Sequence, residues 1–443
     1  MNFVESLKSE IKNMRLARPM GRVIGFGNGL VQIAGLARDA KLADSLVLQR
    51  TSGLSLTGEV LGIEGEIVHM IPETEPYGVS TGTPVTLRSA ATFSPGDHWI
   101  GRVIDPFGQP MDGKPLMAGD DPRDLLASAP DAGKRRPMGE RIPTGLAVLD
   151  TVLPIACGQR VGLFAGSGVG KSSLLAELTQ TMAADVVVIA LIGERGREVS
   201  DFVSRTLGPE GMARSVVVAA TSDKSALTRR RCAWSAMTVA EYFRDQGCSV
   251  LFLADSITRF AEAHREISLI AGEKPALRGF PPSVSTLITA LSERAGPGAQ
   301  EQGDITAVFS VLVAGSDMEE PIADIMRGVL DGHFVLSRDI AERGRYPAID
   351  VGKSVSRCLP DAASEEENRL IAQLRQLIGA YEQSEVMIKA GLYSSGSDPL
   401  LDQAVHIWPE IEEFCARREP EGQRASFDRL SLLLRRARAG RPA

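Results

Sequence analysis

The sequence predicts an α/β core, preceded by a small β-barrel and followed by a helical domain. Three observations lead there. Between Leu146 and about Asp350, β-branched apolar runs alternate with segments of helical periodicity. That alternation requires crossover connections and a largely parallel sheet covered on both faces. From Gly21 to about Ser89, short β-rich runs are separated by Gly, Pro, Asn and Asp, the spacing of a small barrel. Beyond Asp361 strand signals vanish and apolar residues recur at helical spacing.

Taken in order, residues 2–16 place Phe3, Val4, Leu7, Ile11 and Met14 on one helical face among Glu, Lys and Asn. This segment, within residues 1–20, either caps its own domain or docks on a partner helix or a membrane surface. Its mixed charge favours a protein partner. The barrel, residues 21–89, is expected from the runs Arg22–Ile24, Leu30–Ile33, Ser45–Leu48, Gly58–Ile63, Ile67–Met70 and Pro84–Leu87. Nothing in it has catalytic spacing, so it reads as an assembly or packing domain. Residues 95–145 are rich in Pro, Gly and Asp and read as an extended connection. The α/β domain, residues 90–360, carries candidate strands Arg160–Ala165, Val186–Leu191, Ser215–Ala219, Ser249–Ala254 and Ile305–Val313. Its candidate helices are Ser172–Met182, Glu198–Leu207, Leu227–Gln246 and Ile257–Ile267. Residues 361–443 carry Glu365–Tyr381, Leu400–Arg418 and Arg424–Arg438 as helices. The basic end, Arg435, Arg436, Arg438 and Arg441, suits a helix C-terminus.

Composition narrows the function classes. The chain has 443 residues, 43% of them hydrophobic and 24% charged, which suits a globular protein and not a disordered or collagenous one. Its longest apolar stretches are strand-sized, short of the ~20 residues a spanning helix needs. A net charge of −7 argues against a surface built to coat nucleic acid. The five cysteines include no C-x-x-C pair. This argues against a disulfide framework or zinc site and for a reducing cytoplasm. The first residues lack an apolar signal core.

The chemistry concentrates in three segments. In RVGLFAGSGVGKSSLLAEL, Arg160–Leu178, an apolar strand ends near Ala165. Gly166, Ser167, Gly168, Val169 and Gly170 follow, then Lys171, Ser172 and Ser173 opening an apolar-periodic helix. Glycines let backbone amides converge on phosphates without Cβ clashes, and the helix N-terminus adds partial positive charge. Lys171 can reach β and γ phosphates, and the Ser172 hydroxyl can ligate Mg²⁺. The usual phosphate-loop pattern has Gly where this chain has Ala165, so the strand–loop–helix context carries the reading; without it the segment is a glycine-rich turn. SVLFLADSITRF, Ser249–Phe260, is a second apolar strand ending in Asp255. Such an aspartate alone is equally a helix N-cap; beside a phosphate loop it suits the water shell of Mg²⁺.

IGERGREVSDF puts Glu194 and Arg195 at the carboxyl end of another strand, where open parallel sheets bind ligands. The carboxylate could polarise water and the guanidinium could neutralise a γ-phosphate, or both belong to a surface ion cluster with Arg197 and Glu198. SRDIAERGRYPAIDVGKSVSRCLP, Ser337–Pro360, reads as a turn-rich segment past the sheet. In it Tyr346 either stacks on an adenine or packs as an ordinary aromatic. Arg357 is either an arginine finger or a surface arginine.

These motifs occur together with GFPPSV, LSERAG, ITAVFSVLVAGSDMEEPIAD and LDGHFVLSR in fixed order. The set closely resembles the catalytic-subunit family of rotary ATPases and, within it, the flagellar and type III secretion export ATPases. The resemblance covers Gly21 to the end. AGSGVGKS with Ala165, and ADSITRFA, look like the export branch, since the F-type β subunit has glycine at the first loop position. Transcription terminator Rho shares the D-S-I-T-R run, but its RNA-binding domain needs stacking aromatics and basic residues, and Gly21–Ser89 has neither.

The resemblance implies a RecA-like P-loop domain between the barrel and the helical domain. It implies ATP as substrate with Mg²⁺: the loop Gly166–Ser173 with Lys171 on the phosphates, Ser172 and Asp255 on the metal, Glu194 as catalytic carboxylate, Arg195 near the γ-phosphate, and Tyr346 at the adenine. Arg357 would be a finger reaching a neighbouring subunit. Non-catalytic relatives carry Gln at the position of Glu194, so its presence implies hydrolysis. Glu194 and Arg357 on one chain imply a homohexamer. Implied partners are a stator-like negative regulator at the N-terminal helix, a coiled-coil stalk protein, and the export gate with its substrates and chaperones. No nucleic acid is implied, and the protein would be cytoplasmic and peripheral at the inner membrane face. Two alternatives are a catalytic subunit of a rotary ATP synthase, which would need a cognate second subunit, and a non-hydrolysing nucleotide-binding assembly subunit, in which Glu194→Gln would change nothing. An RNA translocase would show RNA-stimulated turnover.

Overall fold

The computed structural model describes residues 18–88, 93–313, 317–396 and 398–439. The predicted helix at 2–16 lies outside the described residues. Two compact units are present. The first is built on six strands, β1 (Met20–Gly27), β2 (Leu30–Ala34), β3 (Ser45–Gln49), β4 (Ser55–Glu64), β5 (Ile67–Pro72) and β6 (Pro84–Arg88), closed in the order β1-β2-β5-β4-β3-β6. Each β-rich run of the sequence becomes one strand. Strict alternation, as in β2 and β3, sends every second side chain inward. Val23, Val31, Ile33, Leu46, Leu48, Leu56, Val60, Val68, Met70 and Val85 fill the interior. Closure leaves no unpaired sheet edge.

The second unit is the α/β domain with the C-terminal helices. Its strands are β7 (Val103–Ile104), β8 (Arg160–Ala165), β9 (Val186–Glu194), β10 (Ser215–Thr221), β11 (Val250–Asp255), β12 (Gly296–Pro297), β13 (Asp304–Leu312), β14 (Gly332–Leu336) and β15 (Ile349–Ser356). They lie in the order β15-β14-β8-β13-β11-β9-β10-β7, with β12 paired to β13. The ladders from β14 to β7 are parallel, so their strands are buried on both faces and read as continuous apolar runs. Successive residues point to opposite faces. Leu163, Ile189, Leu251 and Val308 join a core with the helix Lys171–Thr181, while Phe164, Val188, Phe252 and Phe309 join a second with Cys232, Met237, Phe260 and Ile288.

Three segments depart from their predicted character. The sequence of Ser337–Pro360 reads as a turn-rich segment past the sheet, yet its residues Ile349–Ser356 form β15, antiparallel to β14 at the sheet edge. The local pattern IDVGKSVS is too polar to announce a strand; pairing with β14 makes it one. Residues 95–145 have little regular structure, yet they are packed onto the α/β unit. Trp99 is buried, its indole N–H donates to the Met117 carbonyl at 2.9 Å, and β7 extends the sheet beside β10. The predicted helix Glu198–Leu207 is a short helix, Gly196–Asp201, running into a wider π-type turn, Phe202–Leu207.

The C-terminal helices Glu365–Lys389, Pro399–Ala416 and Gln423–Ala439 share the core of the helix Lys171–Thr181 through Leu374, Ile378, Ile407, Phe414, Leu430 and Leu434. Ser364 opens the first with a capping box to Glu367, and Asp398 caps the second. All five cysteines are unpaired. Among the described residues, no helix is long and apolar enough to cross a membrane.

Candidate active site

The site begins where β8 stops. Beyond Ala165 the chain turns through Gly166–Gly170 into the helix Lys171–Thr181. Gly168 and Gly170 have φ of 79° and 90°, a left-handed conformation that suits glycine. At Gly170 a second constraint acts: a Cβ there would sit 3.1 Å from Cδ1 of Tyr346. The tyrosine ring therefore rests on the loop, with half its surface exposed. Val169 is buried and anchors the loop, while Ser167, Ser172 and Ser173 are exposed.

Strand order brings the charges together. β13 lies between β8 and β11, and Phe309 is in register with Ala254. Ser310 therefore stands beside Asp255, at the end of β11. The Ser310 hydroxyl donates to Asp255 Oδ1 at 2.6 Å. Lys171 Nζ spans β13 and donates to that same oxygen. Asp255 and Ser310 are buried.

Glu194 ends β9, the next strand over. Burial, the Asp255 charge and a hydrogen bond with Glu198 push its carboxyl up to about 7, against the opposing pull of Lys171. A carboxyl poised there exchanges its proton near neutrality, as a general base must. Arg195 is exposed, with Nη1 3.7 Å from Glu198 Oε1. Lys171, Asp255 and Glu194 thus converge at the carboxyl ends of parallel strands, where ligands bind in such sheets.

Comparison with known proteins gives the same direction. The ATP synthase alpha/beta family, nucleotide-binding domain, matches residues 145–356. The T3SS EscN ATPase C-terminal domain matches residues 363–431. The flagellum-specific ATP synthase of Treponema pallidum (strain Nichols) is 46% identical over 369 residues, 83% of this chain and 82% of that protein. The chain belongs to the family of flagellar and type III secretion ATPases. A structure of the assembled ATPase EscN from the enteropathogenic E. coli type III secretion system has a TM-score of 0.86 at 35% identity, covering 94% of this chain and 100% of that one. EscN in complex with its central stalk EscO gives 0.84 at 36% identity over the same shares.

As a member of this ATPase family the chain is an ATP-hydrolysing enzyme with the predicted three-part fold. Its remaining candidate residue, Arg357, is not brought to the loop. Ser356 pairs with Gly332 at the start of β14, whereas the loop follows the end of β8, level with Leu336. Arg357 therefore lies at the opposite end of the strands. It is exposed and donates to the carbonyls of Leu330 at 3.0 Å and Arg327 at 3.1 Å.

Three residues of this ATPase escaped sequence reasoning. Ser310 sits mid-strand in ITAVFSVLV, with no local signal beyond a hydroxyl in an apolar run. Arg338 donates to the Ser167 carbonyl at 3.4 Å and ties the loop to the segment that carries Tyr346. Arg259 packs against Gly193 and feels the Glu194 charge.

The donor set fits Mg²⁺ arriving with a nucleotide. Asp255 and Ser172 offer hard oxygens, which Mg²⁺ combines with phosphate oxygens and water. Among the described residues no three His, Cys, Asp or Glu side chains form a metal cage of their own.

Proposed function

We propose that this chain hydrolyses ATP to energise bacterial protein export through a type III apparatus, the flagellar one, at sites shared between copies of a homohexamer. The backbone amides of Gly166–Ser173 and the Lys171 ammonium bind the phosphates. Ser172 and Asp255 would hold Mg²⁺, which when bound would neutralise phosphate charge. Tyr346, resting on Gly170, presents its ring to the adenine. Glu194 accepts a proton from the attacking water as the new P–O bond forms and the bond to the β-phosphate oxygen breaks. Arg195 steadies the γ-phosphate. Arg357 of one copy reaches the loop of the next and meets charge that develops in the transition state.

One observation carries the shared-site reading. Lys171, Asp255 and Glu194 converge at one end of the sheet, while Arg357 stands at the other. A guanidinium so placed serves a site on another copy. The relative named as an assembled ATPase supports self-association, and the relative bound to a central stalk supports a coiled-coil stalk partner. A negative regulator at the N-terminal helix, the export gate with its substrates and chaperones, and a peripheral place at the inner face of the cytoplasmic membrane complete the proposal. The flagellar choice rests on the names of relatives such as that of Treponema pallidum.

Mixing tests it. Lys171→Ala and Arg357→Ala, each inactive alone, should regain activity when mixed, because some interfaces then pair an intact loop with an intact finger. No recovery in mixtures shown to co-assemble would refute a shared site.

A further inference from the structure

We propose that Ser310 is a positioning residue that fixes the rotation of the Asp255 carboxylate, so that Oδ2 stays available to the magnesium–nucleotide complex while Lys171 changes partners. This rests on the reading of Asp255 as the Mg²⁺-associated carboxylate. Two donors engage one oxygen, Oδ1: the Lys171 ammonium and the Ser310 hydroxyl at 2.6 Å. They are not equivalent. Lys171 sits at the mouth of the loop on a long flexible stem, and holding phosphates draws its ammonium away from Asp255. Ser310 is on β13, in the middle of a parallel sheet, with no exposed surface. It stays beside Asp255 by strand register, whatever the loop holds. When the lysine leaves, the serine is the donor that remains on Oδ1.

A buried carboxylate that loses one charged partner and keeps no other is free to rotate about its Cα–Cβ and Cβ–Cγ bonds. It then offers the ion an averaged rather than a fixed oxygen. Partners behind a metal-holding group typically change metal affinity or activity 10–100-fold when removed. A hydroxyl buried in an apolar strand also carries a desolvation cost unless it is bonded, and Asp255 supplies the acceptor.

The experiment uses the full chain and ADP, titrated calorimetrically with Mg²⁺ and separately in EDTA. The ratio of the two affinities measures how strongly the ion and the nucleotide support each other. Ser310→Ala should lower that ratio about tenfold while leaving the EDTA affinity unchanged. Ser310→Thr, which keeps the hydroxyl, should preserve the wild-type ratio. Asp255→Asn is the control for the underlying reading and should abolish the Mg²⁺ dependence. If Asp255→Asn abolishes it and Ser310→Ala leaves it unchanged, the Ser310 proposal is wrong and the Asp255 reading stands. Equal losses with and without Mg²⁺ in Ser310→Ala, or a threonine variant whose ratio matches alanine's, would mark a merely structural serine and overturn the proposal. An Asp255→Asn protein with unaltered Mg²⁺ dependence would overturn both.

Discussion

Glu194→Gln tests the electrostatics of the site before any nucleotide is added. In the unfolded chain the carboxyl titrates near its ordinary 4.5, and in the fold near 7. The fold therefore binds this proton more tightly than the unfolded chain does. Its stabilising effect is fully present below pH 4.5 and is lost as pH rises through 7. The difference between 4.5 and about 7 corresponds to about 3 kcal/mol against the ionised form. Glu194 is partly solvent-exposed, which screens the effect to roughly 1–2 kcal/mol. Glutamine mimics the neutral acid at every pH. The variant should thus match wild type near pH 4.5 and exceed it by roughly 1–2 kcal/mol at pH 8.5, a shift of roughly half a molar in the urea midpoint. Lys171→Met should widen the gap at high pH, because the lysine is the cation that opposes the rise. The assay is urea unfolding without nucleotide or Mg²⁺ across pH 4.5–8.5. A glutamine advantage that does not vary with pH would show that the carboxyl is not held neutral by its surroundings.

Other outcomes follow from the same geometry. Lys171→Ala should lose nucleotide binding or turnover. Arg357→Ala should bind ATP nearly as wild type but hydrolyse it ~10³–10⁵-fold more slowly; matched losses of ATP affinity in the two variants would count against separate roles. Gly170→Ala should weaken nucleotide binding and cost about 1–2 kcal/mol of stability, since φ is 90° and the new methyl meets Tyr346. Adding Tyr346→Ala should recover part of that loss, so strict additivity in melting and binding would exclude the contact. Specific activity should rise steeply with protein concentration; a linear rate from a species monomeric by light scattering would contradict a finger supplied by a neighbour.

Much of this fold was legible because its signals are local. The barrel alternates along strands of five to ten residues, and one-sided burial forces that pattern on the sequence. The apolar runs of β8, β9, β11 and β13 announce strands covered on both faces. The loop is readable because left-handed backbone at Gly168 and Gly170 and a helix start at Lys171 must be written in adjacent residues. β15 was missed for the opposite reason: its residues do not favour a strand, and only its partner β14 makes it one.

By itself, then, the sequence determined which residues are chemically equipped, and the order of barrel, sheet and helices, since periodicity and loop chemistry act over a few residues. Tertiary structure alone decided which of those residues meet. Ser310 joins Lys171 on Asp255 because β13 lies between β8 and β11. Glu194 is pushed toward neutrality because burial and a second carboxylate act on it through space. Arg357 is turned away because antiparallel β15 carries it to the far end of the strands. Strand order is set by the packing of whole elements, and no window of adjacent residues contains it.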